Sequence, residues 1–442
     1  MGMRRRDLLL AAGAAALPGL ATAASARRPN IVLIVADDLG WGDLGGYGAR
    51  LIRTPRLDRM AREGARLTAA YASANICTPS RAGLLTGRYP IRTGLAWDVV
   101  RQSDTVGLPP SEITLAEMLK PDYATALVGK WHLGHVAPYW PPTVQGFDLF
   151  YGLPYSHDMK PLALYAAQAP GVELTREDVD SPRLTQRFFD RGLAFVETNR
   201  ARPFFLMLAL TAPHVPLEPN PDHPHRSPAG AYGDVVEEID AGVGRLLDRL
   251  KTFGLDRDTL VIVTSDNGPW FEGSAGPWRE RKGGSGWEGG FRVPFVARHP
   301  GVIPAGIVSD APSMNIDLLP TLAAWTGSPL PAVTLDGRDI STMLKRRGAP
   351  SPHEALLLFD NEAIAGIRAG RWKYLVRSYY RTDDLPLDAY DYGLLFDMTL
   401  DPGETYNLAA RHPEVLAGMK ARLATARAEF GPLAKGPRTR RK

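Results

Sequence analysis

The chain has 442 residues, 44% hydrophobic and 23% charged, the profile of a soluble globular enzyme with one large core and a smaller second one. Its formal charge of +4 owes much to Arg4-Arg5-Arg6 at one end and Arg438-Thr439-Arg440-Arg441-Lys442 at the other. The body is near neutral, which argues against a nucleic-acid surface, and a single cysteine excludes an internal disulfide framework.

Along the chain, residues 1–26 read as a targeting segment. Three arginines precede the apolar run Leu8 to Leu20, and small residues Ala21 to Ala26 follow, the pattern of a signal peptide. The paired arginines before Asp7-Leu8-Leu9 point to twin-arginine export into the periplasm or medium. The apolar run is too short to span a bilayer comfortably, so stable membrane insertion is not expected. Export machinery is therefore an expected partner; nucleic acid is not.

Residues 27–345 read as one α/β domain. Strands are predicted over Ile31 to Ala36, Tyr123 to Val128, Phe204 to Leu210 and Leu260 to Val263. These short continuous apolar runs suit strands buried on both faces of a largely parallel sheet. Helices are predicted from Thr54-Pro55 to Gly64 and over 115–119, 184–198, 235–253 and 316–325. Each strand runs into polar residues: Asp37-Asp38, Gly129-Lys130-Trp131-His132, Thr211-Ala212-Pro213-His214, and Thr264-Ser265-Asp266-Asn267. In doubly wound sheets ligands bind at those carboxyl ends, so these residues are expected to converge. After about residue 345 the pattern changes to short strands at 356–359, 364–368, 372–376 and 394–396, with a last helix at 413–429. Residues 346–442 are thus expected to form a smaller α+β domain with an antiparallel sheet.

The most informative stretch is Cys77-Thr78-Pro79-Ser80-Arg81-Ala82-Gly83-Leu84-Leu85-Thr86-Gly87-Arg88. Cys77 precedes a Pro-Ser helix start, so it faces the partial positive charge and free N–H groups of a helix N-terminus. Arg81, one turn in, can reach back towards it. A thiol in that setting is expected to be reactive.

This stretch closely resembles the motif of the formylglycine-dependent sulfatases, C-x-P-S-R followed by L-x-T-G-R. The resemblance extends to Pro29 through Gly40, Gly129 through Gly134, Ser265-Asp266-Asn267-Gly268, Trp287 through Pro294, and the closing Leu395 through Leu408. Gly152 through Asp158 resembles the arylsulfatase A branch. The resemblance implies an alkaline-phosphatase-like fold, a large mixed and mostly parallel sheet flanked by helices. It implies hydrolysis of aryl, carbohydrate or lipid sulfates, and a maturation enzyme that oxidises Cys77 to Cα-formylglycine. The aldehyde hydrate would attack sulfur with one hydroxyl and expel sulfate with the other, an exit that serine or cysteine lacks.

The resemblance also assigns residues. Asp37, Asp38, Asp266 and Asn267, with the modified Cys77, would hold a metal. Oxygen donors favour a hard cation, calcium by resemblance, with magnesium as the other candidate. Arg81 and Lys130 would hold the nucleophile and the sulfate oxygens. His214 and Lys282 would protonate the leaving alcohol, His132 would assist the final elimination, and Ser156 would orient the site. Lys282 departs from the family spacing: it lies six positions before Glu288 instead of five, where Gly283 stands. Either the loop bulges by one residue or Arg279 or Arg281 substitutes. The competing readings are a phosphonate or phosphate ester hydrolase using the same apparatus and an inactive sulfated-glycan binder.

Overall fold

The computed structural model describes residues 28–437 apart from Pro170, His225 and Thr382, so the expected signal peptide lies outside the described residues. Eleven strands form the main sheet: β1 (Asn30–Asp37), β2 (Ala65–Tyr71), β3 (Ala124–Lys130), β4 (Leu149–Leu153), β5 (Ala163–Ala167), β6 (Thr175–Asp178), β7 (Phe204–Pro213), β8 (Thr259–Ser265), β9 (Arg292–Arg298), β10 (Ile307–Ser309) and β11 (Ser313–Met314). Their order is β10-β2-β9-β8-β1-β7-β3-β4-β5-β6, with β11 beside β2. Strands β8, β1, β7, β3 and β4 are mutually parallel, whereas β9, β5 and β6 run antiparallel to their neighbours.

The continuous apolar runs follow from two cores. Ile31, Leu33 and Val35 of β1 enter one core while Val32, Ile34 and Ala36 enter the other. Successive side chains of a strand point to opposite faces, so a strand covered on both sides must be apolar throughout. Helices Leu184–Asn199 and Gly230–Thr252 cover one face of the sheet through Phe188, Val236, Ile239 and Leu246. The second begins five residues before its expected start, because Ala229-Gly230-Ala231-Tyr232-Gly233 carries little apolar periodicity.

Strands β2, β4, β5, β6, β9, β10 and β11 lie outside the sequence expectation. Strand β2, Ala-Arg-Leu-Thr-Ala-Ala-Tyr, is too rich in small residues to announce itself, and its place is set by pairing with β9. At the other end of β3, Gly129 has φ +121, and a Cβ there would lie 1.8 Å from the Ala209 carbonyl oxygen. Only glycine allows β3 to approach β7 this closely just before Lys130.

A second, antiparallel sheet takes β12 (Leu356–Asp360), β13 (Ala363–Ala369), β14 (Trp372–Leu375) and a later strand, with a hairpin of β15 (Arg377–Tyr380) and β16 (Asp383–Pro386) inserted before that strand, β17 (Leu394–Asp397). The helix Pro413–Phe430 packs on it through Met419, Leu423 and Phe430, in a core shared with Tyr71, Tyr89 and Phe291. A buried ionic cluster adds to this joint. Lys373 Nζ lies 3.1 Å from Glu288 and 2.5 Å from Glu404, and all three side chains are inaccessible to solvent. Burial raises the Glu404 carboxyl to about 7 against the pull of Lys373. Glu288 instead stays down at about 2, because Lys373, Arg292 and Arg368 together outweigh its burial.

Removing Lys373 strands buried carboxylates without their cation. Lys373→Ala is expected to lose about 3–5 kcal/mol of stability in urea denaturation, the range for breaking a buried ion pair. A loss inside the error of the measurement would show that the cluster does not hold the two sheets together.

Candidate active site

The parallel run orders the strand ends as Lys130 (β3), Pro213-His214 (β7), Asp37-Asp38 (β1) and Ser265-Asp266-Asn267 (β8). Ala36 pairs with Ser265 and Asp37 with Pro213, so the polar residues emerge level with one another. Cys77 begins the wholly buried helix Cys77–Thr86, set against this edge. Its Sγ lies 3.5 Å from Asp37 Oδ1 and 4.0 Å from Asp38 Oδ1.

Cations close around the carboxylates. Lys130 Nζ is 2.7 Å from Asp37 Oδ2, with both side chains fully buried. Arg81 Nε and Nη2 each approach Asp266 Oδ2 at 2.9 Å, and Nη2 lies 3.4 Å from Asp37 Oδ1. Asp38 receives Lys282 Nζ at 2.8 Å and Asn267 Nδ2 at 2.7 Å, with His214 Nε2 at 3.7 Å. The structure thus brings Lys282 into the site despite its spacing. Gly283, at φ +72, donates to the Asn75 carbonyl, and Gly284 N donates to the Arg281 carbonyl at 2.8 Å, a turn that takes up the extra residue. Arg279 instead stacks on Trp287, and Arg281 donates to the Phe271 carbonyl.

Two expected residues stand slightly apart. His132, at φ +62, puts Nε2 3.0 Å from the Val100 carbonyl, so that nitrogen carries the proton; Nδ1 is buried without a partner. Ser156 is buried with its hydroxyl unpartnered, and hydrogen bonds do not tie it to the other site groups. Its neighbour His157 escaped the sequence reading. That ring packs edge-on against His214 at 5.8 Å, Nε2 meets the Pro216 carbonyl at 3.1 Å, and Nδ1 is buried and unpartnered. Its sequence signal was its place in the Gly152–Asp158 stretch, where no role was assigned to it.

Electrostatics divide the acids. Burial pushes Asp37 up, but Lys130, His214, Arg81 and Lys282 together outweigh it and hold the carboxyl well below its usual range. Asp266 has Arg81 nearby but also faces Asp37 and Asp38, and burial wins, lifting it to about 6. Burial, with Lys130 and Arg81, pushes His132 well down, so its ring is neutral. The same burial pushes the Cys77 thiol far up despite Lys130 and Lys282. Desolvation thus works against the reactive thiol expected from the helix terminus and the cations.

The donor set also fits a cation. Ligand atoms of Asp37, Asp38, Cys77 and Asp266 lie within 4.8 Å of one another. The amide oxygen of Asn267 is buried with no hydrogen-bond partner, an orphan that a cation would satisfy. Apart from the Cys77 sulfur, the donors are oxygens (three carboxylates and one amide), which suits a hard divalent ion.

The sulfatase family model matches residues 29–328 of this chain. The chain belongs to the sulfatase family. Human arylsulfatase A is 40% identical over 94% of this chain and 89% of its own length. Mouse steryl-sulfatase is 36% identical over 97% of this chain and 88% of its own length. Among solved structures, the PsFucS1 sulfatase from Pseudoalteromonas sp. superposes with a TM-score of 0.82 at 29% identity, covering 91% of each chain. This sulfatase therefore has the alkaline-phosphatase-like architecture of its relatives, and it hydrolyses sulfate esters.

Cation binding should register in stability. Calcium at a hundred times its Kd is expected to stabilise the protein by about 2.7 kcal/mol, read as a rise in Tm by calorimetry. Asp266→Ala should abolish the rise. A wild-type Tm indifferent to calcium and magnesium would contradict the site.

Proposed function

We propose that this sulfatase works through a formylglycine made from Cys77 and a calcium ion held by Asp37, Asp38, Asp266, Asn267 and the modified residue. The observation that carries the reading is the position of Cys77 Sγ, 3.5 Å from Asp37 and walled in by Arg81, Lys130 and Lys282. A wholly buried cysteine grouped with three acids supports a modified residue at this position. The hydrated formylglycine supplies both the attacking hydroxyl and the second hydroxyl needed to release sulfate. Bound calcium supplies a Lewis acid and charge clamp.

The remaining roles belong to side chains in place. Arg81 and Lys130 offer fixed positive charge to sulfate oxygens and need no reorganisation, because Asp266 and Asp37 already hold them. Burial opposes the Lys282 charge, but the carboxylates Asp38 and Asp37 favour it, the first by a direct hydrogen bond, and keep the ammonium protonated as a donor to the leaving oxygen. His214 Nε2 shares that side of the site through Asp38. His132, neutral with Nδ1 free, can take a proton during release. The same reading puts the mature enzyme in the periplasm or medium, supported by the signal-like residues 1–26. Among the described residues, no helix is long and apolar enough to cross a membrane.

Peptide mass spectrometry of active enzyme is expected to find formylglycine at position 77, and Cys77→Ala to remove turnover of 4-nitrophenyl sulfate. Full activity with wholly unmodified Cys77 would overturn the mechanism. If His214 and Lys282 are the proton donors, His214→Ala and Lys282→Ala should each cost about 10²–10⁴ in kcat/KM on alkyl sulfates. The loss on 4-nitrophenyl sulfate, whose leaving group needs little protonation, should be smaller. Equal losses on both substrates would remove these residues from the proton-transfer step.

A further inference from the structure

The C-x-P-S-R pattern leaves its second position open, and none of the roles above falls to the residue that stands there, Thr78. Its side chain closes a circuit of three hydrogen bonds around His132. Thr78 Oγ1 donates to the His132 carbonyl at 2.9 Å. The same oxygen accepts from Val100 N at 3.0 Å. The Val100 carbonyl in turn takes the proton of His132 Nε2 at 3.0 Å. Thr78, Val100 and His132 are all buried, so bulk water does not readily replace a missing partner.

The circuit fixes two things about His132. The first is its backbone. His132 stands at φ +62, a left-handed conformation that is unfavourable for a residue with a Cβ. Its N–H is held by the Pro154 carbonyl at 3.0 Å and its own carbonyl is held by Thr78. The second is its tautomer. A hydroxyl has one proton, and Thr78 spends it on the His132 carbonyl, so a lone pair is left for Val100 N. Val100 is thereby anchored with its carbonyl at Nε2, where only the protonated nitrogen can meet it. That bond leaves the lone pair on Nδ1, which is buried without a partner.

We infer that Thr78 is the positioning residue of His132: its hydroxyl sets both the place of the imidazole and the nitrogen that carries the proton, so that Nδ1 is ready to accept one as sulfate is released. The inference rests on the formylglycine mechanism proposed for Cys77 and on the release role given there to His132. In that step the proton of the second hydroxyl goes to His132 Nδ1. The electrons of its O–H bond close the aldehyde C=O, and sulfate leaves with the electrons of the C–O bond that breaks.

The test follows 4-nitrophenyl sulfate, whose good leaving group makes the departure of phenol fast and leaves sulfate release as the slower step. There kcat/KM reports events up to the loss of phenol, whereas kcat also contains sulfate release. Thr78→Val removes the hydroxyl at nearly constant shape. Rates are expressed per site shown by peptide mass spectrometry to carry formylglycine. Thr78→Val is expected to lower kcat about tenfold, part of what a general base supplies, and to leave kcat/KM within about twofold. A burst of 4-nitrophenol should precede sulfate. Thr78→Ser keeps the hydroxyl and should restore the wild-type kcat. His132→Ala should show the same split, and adding Thr78→Val to it should cost less than about twofold more, because residues that act as a unit are not additive. If Thr78→Val does not fold, Thr78→Ala carries the comparison. An unchanged kcat in the folded variant, an equal fall in kcat and kcat/KM, or a further loss of the same size on top of His132→Ala overturns the positioning role. A wild-type kcat in His132→Ala overturns the release role and this inference with it. Turnover that survives Cys77→Ala overturns the mechanism beneath both.

Discussion

Three carboxylates, Asp37, Asp38 and Asp266, are buried together at the edge of one sheet, and the rest of the site answers that constraint. Removing ionised groups from water costs several kcal/mol each unless partners replace the hydration. The partners come from four separate segments: Arg81 on a helix, Lys130 at the end of β3, Lys282 in a glycine-rich loop and His214 beyond β7. Under the proposed mechanism, the cations that neutralise the acids are also the ones that would meet a sulfate.

The geometry depends on the parallel strands. Lys130 and Asp37, 93 positions apart in sequence, meet because β3 and β1 end at one level on either side of β7. Asp38 and His132 both sit at positive φ, 65° and 62°, just past strand ends. Such conformations cost roughly 1–2 kcal/mol for residues with a Cβ. They turn the chain sharply enough to aim two successive functional groups into one space. Strain of this kind persists only where surrounding structure holds it, as buried strands do here.

The small sheet contributes more than bulk. Lys373 between Glu288 and Glu404 fixes the segment that follows the Lys282 loop, and the β15–β16 hairpin is tied to that loop through Trp287 and Ser285. Through these ties the smaller sheet and its hairpin bear on the loop that carries Lys282.

Much was legible without coordinates. The apolar runs of β1, β3, β7 and β8 announced buried parallel strands, and the polar pairs at their ends announced the site, because both patterns are local in sequence. The Cys77–Arg88 stretch carried the family. Strands β2, β9, β10 and β11 were not legible, since their residues are ordinary and long-range pairing makes them strands. Nor was the place of Lys282, which turns on Gly283 at positive φ, or that of His157, which matters only because its ring meets His214. The burial of Cys77 is of the same kind. A helix terminus and neighbouring cations can be read from sequence, but the degree of desolvation that opposes them is a property of packing from every side, which only the tertiary structure decides.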